Sequence, residues 1–309
     1  MTPSIVCAVD DSPSAGRALQ LATRLAERLG LQQVLVHVAP ARAGGGVVAT
    51  LGPPPVDAEE PGRLTRAGLA FLESVAESER LGDADLRGEY GDPGERILEV
   101  ADRESAALIV VGTRGRGRVA AGVLGSVSAW VAGNAPCPVV IVPERANLRA
   151  DEDGTIVCGL DDASDASAVL RVAALLRDRL RARLVAAHVG PSPVVPGSSV
   201  VPSAREQLRE AASRQGQALL AELVAAAQLG TDVERRVVFG PAARSLAKLC
   251  QDEEADLLVL GSRGRGGLRS ALLGSVTAEI VGLATCPVVI VPPAARQAEA
   301  EGLAAARAT

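Results

Sequence analysis

Two aspartates and two glycine-rich segments stand out as the residues able to do chemistry. The first segment runs Gly112-Thr113-Arg114-Gly115-Arg116-Gly117 and continues to Leu124-Gly125-Ser126-Val127-Ser128. Its spacing is Gly-x2-Gly-x9-Gly-Ser. The same spacing returns as Gly261-Ser262-Arg263-Gly264 and then Gly274-Ser275-Val276-Thr277. Glycines permit positive φ and let backbone N–H groups come close to an anion. Gly-Ser opening a helix adds free N–H groups and the positive end of the helix dipole, which suits phosphate. Ser126 and Ser275 would add hydroxyl donors. Turn glycines followed by a helix cap are the plainer alternative, and a second copy with identical spacing disfavours it. Arg114, Arg116, Arg263 and Arg265 either screen phosphate charge or are solvated loop arginines.

Asp10 and Asp161 each end an apolar run. Ile5-Val6-Cys7-Ala8-Val9-Asp10-Asp11 is echoed by Ile156-Val157-Cys158-Gly159-Leu160-Asp161-Asp162, 151 positions later. A carboxylate can accept two hydroxyl hydrogen bonds at once. Asp11 and Asp162 read as turn formers. The two histidines, His37 and His188, are also 151 apart and read as strand-end residues satisfied by a neighbour. There is no Gly-x4-Gly-Lys-Ser/Thr motif, and the single lysine, Lys248, is far from any glycine loop. Gly115-Arg116-Gly117-Arg118-Val119-Ala120 fits a loose dinucleotide pattern, but it follows the fourth strand and is not repeated. Neither half shows a Ser/His/Asp series or a metal-ligand cluster.

The elements that must hold these residues also repeat. Within each half, apolar runs alternate with helical periodicity. In the first half, strands are expected at Ser4–Val9, Val34–Ala39, Asp85–Tyr90, Ala107–Val111 and Val139–Val142. Helices are expected over Pro13–Leu29, Leu64–Leu81, Glu95–Arg103 and Gly125–Gly133. Ser12 is a plausible N-cap before Pro13, and Gly30 a stop. Residues 40–62, rich in Gly and Pro, read as a long loop. In the second half the strands fall near Thr155–Leu160, Leu184–Val189, Asp232–Phe239, Leu257–Leu260 and Val288–Val291. Strands alternating with helices mean an α/β fold: a doubly wound parallel sheet of five strands per half, with helices on both faces. Ligands in such sheets bind beyond the carboxyl ends of the strands, where Asp10 and Gly112 converge.

Residues 110–129 and 259–278 share 11 of 20 identities. The repeat is domain-sized, so it is a tandem duplication, with domains 1–143 and 154–292, a polar linker 144–153 and an Ala-rich tail 293–309. The 309 residues allow two ordinary cores. Aromatics number four (Phe71, Tyr90, Trp130, Phe239), so the cores must be Val, Leu, Ile and Ala. The net charge of −5 and the missing aromatic platform argue against nucleic acid as a partner. No run is long enough to span a membrane, and no secretory pattern is visible. Five cysteines without a Cys-x-x-Cys pair then read as reduced packing thiols, and the expected location is cytoplasmic.

At these motifs the chain resembles the universal stress protein family in its tandem two-domain form. Asn134-Ala135-Pro136-Cys137-Pro138-Val139-Val140-Ile141-Val142-Pro143 and its echo ending at Pro292 also carry the resemblance. It covers essentially residues 4–143 and 154–292. It implies an open five-stranded parallel sheet of order 3-2-1-4-5 in each half. Family members with the full glycine motif bind ATP, here with Mg2+. The resemblance then implies that Asp10 and Asp161 hold the ribose hydroxyls. Val38 and Val189 meet adenine through backbone groups. Gly112, Gly115, Gly125 and Ser126 cradle the phosphates, as do Gly261, Gly264, Gly274 and Ser275. Val127 and Ser128, with Val276 and Thr277, complete those sites. Ser12 is answered by Ala163, a departure that weakens the second copy. Fifth strands pair across a dimer interface in the family. An intrachain pseudo-dimer is therefore expected, and further homodimerisation is open. An ATP-binding regulatory protein with an unidentified protein partner leads. A slow ATP hydrolase and a nucleotide-free scaffold are the alternatives, and no residue compels the hydrolase reading.

Overall fold

A computed structural model describes residues 3–41, 60–113, 124–148, 153–163, 166–191, 202–262, 273–293 and 295. The first half runs β1 (Ser4–Ala8), α1 (Pro13–Leu29), β2 (Gln32–Pro40), α2 (Glu60–Glu79), β3 (Asp85–Gly91), α3 (Pro93–Arg103), β4 (Ala106–Gly112), α4 (Ser126–Asn134) and β5 (Val139–Val142). The second repeats it: β6 (Thr155–Leu160), α5 (Ala166–Leu180), β7 (Arg183–Gly190), α6 (Pro202–Ala226), β8 (Glu234–Phe239), α7 (Ala242–Asp252), β9 (Leu257–Gly261), α8 (Ser275–Leu283) and β10 (Val288–Val291).

The strands order as β3-β2-β1-β4-β5-β10-β9-β6-β7-β8 in one ten-stranded sheet. Each half has the expected 3-2-1-4-5 order and is parallel throughout. The two five-stranded sheets are joined through β5 and β10, the fifth-strand pairing expected of an intrachain pseudo-dimer, and these strands pair antiparallel with Val140 opposite Val289. The sheet is therefore mixed but mostly parallel. Val139–Val142 and Val288–Val291 are fully apolar and almost completely buried. A row of unpaired backbone groups on such a strand is a hazard that mutual pairing removes. The fifth-strand edge a homodimer would have used is thus occupied within the chain.

Helices α1, α2, α5 and α6 cover one face, α3, α4, α7 and α8 the other. The linker is not a free tether. Ala146 is buried, Asn147 N–H donates to the Thr285 carbonyl at 2.6 Å, and Arg17 and Arg24 of α1 donate to the carbonyls of Ala146 and Leu148. Arg28 reaches the Leu180 carbonyl at the end of α5 (2.8 Å). Residues 149–152 of the linker, 42–59 of the long loop, and the tail apart from Pro293 and Ala295 lie outside the described residues.

The local readings hold where a side chain acts on its own backbone. Ser12 caps α1 by accepting from Ala15 N–H, Pro13 opens it, and Gly30 ends it at φ 65°. Several boundaries differ, and three of the shifts have a local reason. Helix α2 begins at Glu60, inside the span read as loop, because Pro61 suits a first turn. Helix α3 begins at Pro93, not Glu95, because Asp92 caps it through Glu95 N–H. Strand β8 begins at Glu234, because residues 231–233 form a turn.

All five cysteines are buried and unpaired by disulfides. Burial pushes the Cys7 and Cys137 thiols up to about 12, and hydrogen bonding to Cys286 together with burial raises that of Cys250. The thiolate is the form that attacks a disulfide reagent. An aromatic disulfide reagent at pH 8 is therefore expected to titrate none of the thiols in the native protein and all five after unfolding. Rapid reaction of even one native thiol would contradict the packing.

Candidate functional site

The carboxyl ends of β1, β2 and β4 open into a cleft of about 260 Å³. It is bounded on one side by the starts of α3 and α4. Its lining includes Asp10, Val38, Gly112, Gly125, Ser126, Val127 and Ser128, seven of the residues expected from sequence. Asp10 is the one Asp, Glu, Lys or Arg among the described lining residues. A single carboxylate over an apolar floor can select a ligand with paired hydroxyls and an apolar ring.

Strand alternation decides which residues face this cleft. Val6, Val36 and Val38 lie on the α3/α4 face, and Ala8 and Asp10 share their direction. His37 is turned the other way. Its Nδ1 lies 2.8 Å from the Val9 carbonyl, and its ring meets Phe71 at 4.9 Å under α2. His188 repeats this on the Leu160 carbonyl at 3.0 Å. A carbonyl only accepts, so Nδ1 carries the proton in both. Both histidines are satisfied by a neighbour, as their strand-end position suggested.

Each aspartate is held by a local turn. Asp10 Oδ1 accepts from Ser12 N–H at 3.0 Å, and Asp161 Oδ1 from Ala163 N–H at 3.2 Å. Such turns orient the carboxylate at the strand end.

The starts of α4 and α8 are built alike. Gly125 and Gly274 are their N-caps, and neither helix has a side-chain cap. The glycine N–H groups are spent on the carbonyls of Thr113 (2.8 Å) and Ser262 (2.9 Å). The first N–H groups of the helix proper have no intrahelical partner, because an α-helix leaves its first turn of donors unpaired. Ser126 and Ser275 sit exposed at the first position. Ser128 Oγ donates to the Gly112 carbonyl at 2.6 Å, and Thr277 Oγ1 to the Gly261 carbonyl at 3.2 Å. These two hydroxyls therefore lock the helix start to the strand end, and their protons face protein.

The glycines also serve a different purpose from the one first inferred. Gly125 and Gly274 have φ of −65° and −60°, so positive φ is not their role. What they lack is a side chain that would fill the cap position. Gly112 likewise has no positive φ. A Cβ there would lie 2.6 Å from Ser14 Oγ and 2.8 Å from the Ser14 carbonyl carbon. Gly112 thus lets the first turn of α1 pack against β4. Arg114, Gly115, Arg263 and Gly264, with Arg116 and Arg265, lie outside the described residues.

In the second half, Asp161, Val189, Gly261, Gly274, Ser275, Val276 and Thr277 occupy the equivalent positions on β6, β7, β9 and α8. Sequence reasoning missed Pro40, Pro93 and Ile97, which wall the first cleft. Pro93 was detectable through Asp92-Pro93, a cap followed by a favoured first residue. Ile97 carries no signal beyond an ordinary apolar helix face. Among the described residues no helix is long and apolar enough to cross a membrane.

The universal stress protein family model matches residues 1–143 and 154–292. A universal stress protein of Mycobacterium tuberculosis is 31% identical over 293 residues, covering 93% of this chain and 95% of that protein. Solved structures share the fold at lower identity. A universal stress protein from Archaeoglobus fulgidus superposes with a TM-score of 0.61 at 18% identity, over 93% of this chain and 97% of the other. A functionally unknown protein from Pseudomonas aeruginosa reaches 0.64 at 16%, over 100% and 98%.

Proposed function

Because the chain belongs to the universal stress protein family, with two tandem domains, we propose that it is an ATP-binding regulatory protein of the stress response with one nucleotide site per domain. The observation that carries this reading is the first cleft, where an uncapped helix start lies beside a turn-held carboxylate over an apolar floor. The ribose hydroxyls would donate to Asp10. The adenine would lie along Val38 against Ile97 and Pro93. The phosphates would take the first-turn N–H groups of residues 126–128 and the Ser126 hydroxyl. Mg2+ would accompany the phosphates and keep much of its water shell, as its coordination chemistry favours. Asp161, Val189 and residues 275–277 would do the same in the second domain. The nucleotide-loaded surface would then be what a protein partner reads.

The direct test is to purify the chain without added nucleotide, denature it, and count released adenine nucleotides by mass spectrometry. A titration with ATP and Mg2+ follows. Asp10→Asn with Asp161→Asn is expected to weaken binding by about a hundredfold, from the loss of charge-assisted hydrogen bonds worth about 1.5–3 kcal/mol. Asn keeps an oxygen for the turn, so the fold should persist. No released nucleotide together with a flat titration would move the reading to a nucleotide-free scaffold.

A further inference from the structure

The two crevices are copies by sequence, but their floors and rims are built differently. In the first, Ala8, Ile97 and Val111 line the cleft. Their counterparts are Gly159, Leu246 and Leu260, by the repeat offsets of 151 and 149. A Cβ on Gly159 would lie 2.6 Å from Leu260 Cδ2 and 3.0 Å from Leu246 Cδ1. The leucine methyls have therefore moved into the space that the Ala8 side chain takes in the first domain. Both leucines are buried.

The rims differ in the same sense. In the first domain two helix starts beside the crevice are capped by side chains: Ser12 Oγ accepts from Ala15 N–H at 3.2 Å, and Asp92 Oδ1 from Glu95 N–H at 3.1 Å. The counterparts are Ala163, which has no acceptor in its side chain, and Pro241, which caps α7 without a side-chain hydrogen bond. Side-chain caps fix where a helix begins. A rim fixed in advance loses less freedom when it binds.

We propose that the two nucleotide sites are unequal, the first domain holding the tight site and the second a weaker one, with Gly159, Leu246 and Leu260 setting the difference. This rests on the nucleotide reading above. The chain would then respond to nucleotide in two stages, the first site filling well before the second.

The single tryptophan allows the sites to be told apart. Trp130 lies on α4, and a Cβ on Gly94 would come within 2.4 Å of its Cδ1, so the indole rests on the start of α3 beside Pro93 of the first cleft. No tryptophan lies in the second domain. The experiment is calorimetric titration of the full chain with ATP and Mg2+, with Trp130 fluorescence followed in parallel. Two classes of site differing at least about tenfold in Kd (about 1.4 kcal/mol) are expected. The fluorescence change should track the tight class. Asp10→Asn should weaken the tight class about a hundredfold and shift the fluorescence change with it, and Asp161→Asn should weaken the weak class alone. The combined change Gly159→Ala, Leu246→Ile, Leu260→Val should strengthen the weak class. The reciprocal Ala8→Gly, Ile97→Leu, Val111→Leu should weaken the tight one, which decides the matter if the first combination does not fold by circular dichroism. Two classes of equal affinity, or loss of the tight class in Asp161→Asn, overturn the inequality and leave the nucleotide reading standing. An absence of both heat and fluorescence change overturns both.

Discussion

Val140→Asp is expected to destabilise both domains at once. Val140 lies in the middle of β5, paired with Val110 on one side and with Val289 of the other domain on the other. It is 1% exposed and belongs to an apolar cluster that includes Val289 and residues of α1 and α5. A carboxylate placed there enters a cluster of apolar side chains. The cost of such a charge is about 4 kcal/mol or more, or a fall in Tm on the order of 10 °C. Because the strand is shared, the loss should appear in the cooperative unfolding of the whole chain. Burial disfavours the charged form, so the new carboxyl would have a raised pKa in the folded state. The folded state would then bind the extra proton over a window above the ordinary carboxylate range, and stability would fall as pH rises through it. The variant should therefore be least stable near pH 8 and partly recover near pH 5. Val140→Asn has a similar shape without the charge and should lack that pH dependence. A Tm for Val140→Asp within a degree or two of wild type would mean that the seam between β5 and β10 is not closed in solution.

Gly112→Ala is expected to be strongly damaging for a change of a single methyl. The added carbon would meet the Ser14 hydroxyl at 2.6 Å and the Ser14 main chain at 2.8 Å. Ser14 is fully buried, so it has nowhere to retreat. The first turn of α1 must move off β4, and overpacking of this kind costs about 1–3 kcal/mol. The same shift disturbs Ser12, whose N–H orients the Asp10 carboxylate. The expected outcome is a Tm lower by roughly 3–10 °C together with loss of the Trp130 response to ATP. Adding Ser14→Gly should restore only part of the stability, because the main-chain contact remains. Unchanged melting in Gly112→Ala would show that α1 does not pack as closely as the structure has it.

Much of the fold was legible because the signals are local or periodic. The cap at Ser12, the proline after it and the stop at Gly30 each act within a few residues of themselves. The apolar runs of β1, β4 and β5 are continuous because helices cover both faces of the sheet. The start of α3 was harder, since Gly94 reads as loop. Its reason is remote: the glycine is there for Trp130. The cleft's polar rim, Asp10, Gly112, Gly125 and Ser126, was legible because few residue types suit hydroxyls or phosphate. Its apolar walls, Pro40, Pro93 and Ile97, were not, because an apolar side chain looks the same whether it faces a core or a ligand.

The sequence alone therefore determined the duplication, the alternation of strand and helix, the residues at the strand ends and the family. All of these are written along the chain at separations of a few residues or in a domain-length repeat. Only the tertiary structure decided that Ser128 and Thr277 turn their protons to strand-end carbonyls, and that Gly112 yields space to Ser14 and Gly159 to Leu246 and Leu260. It also decided the register of the seam between β5 and β10, with Val140 opposite Val289. These are contacts between surfaces brought together by folding. Close packing sets them, and packing depends on shapes that no single stretch of sequence contains.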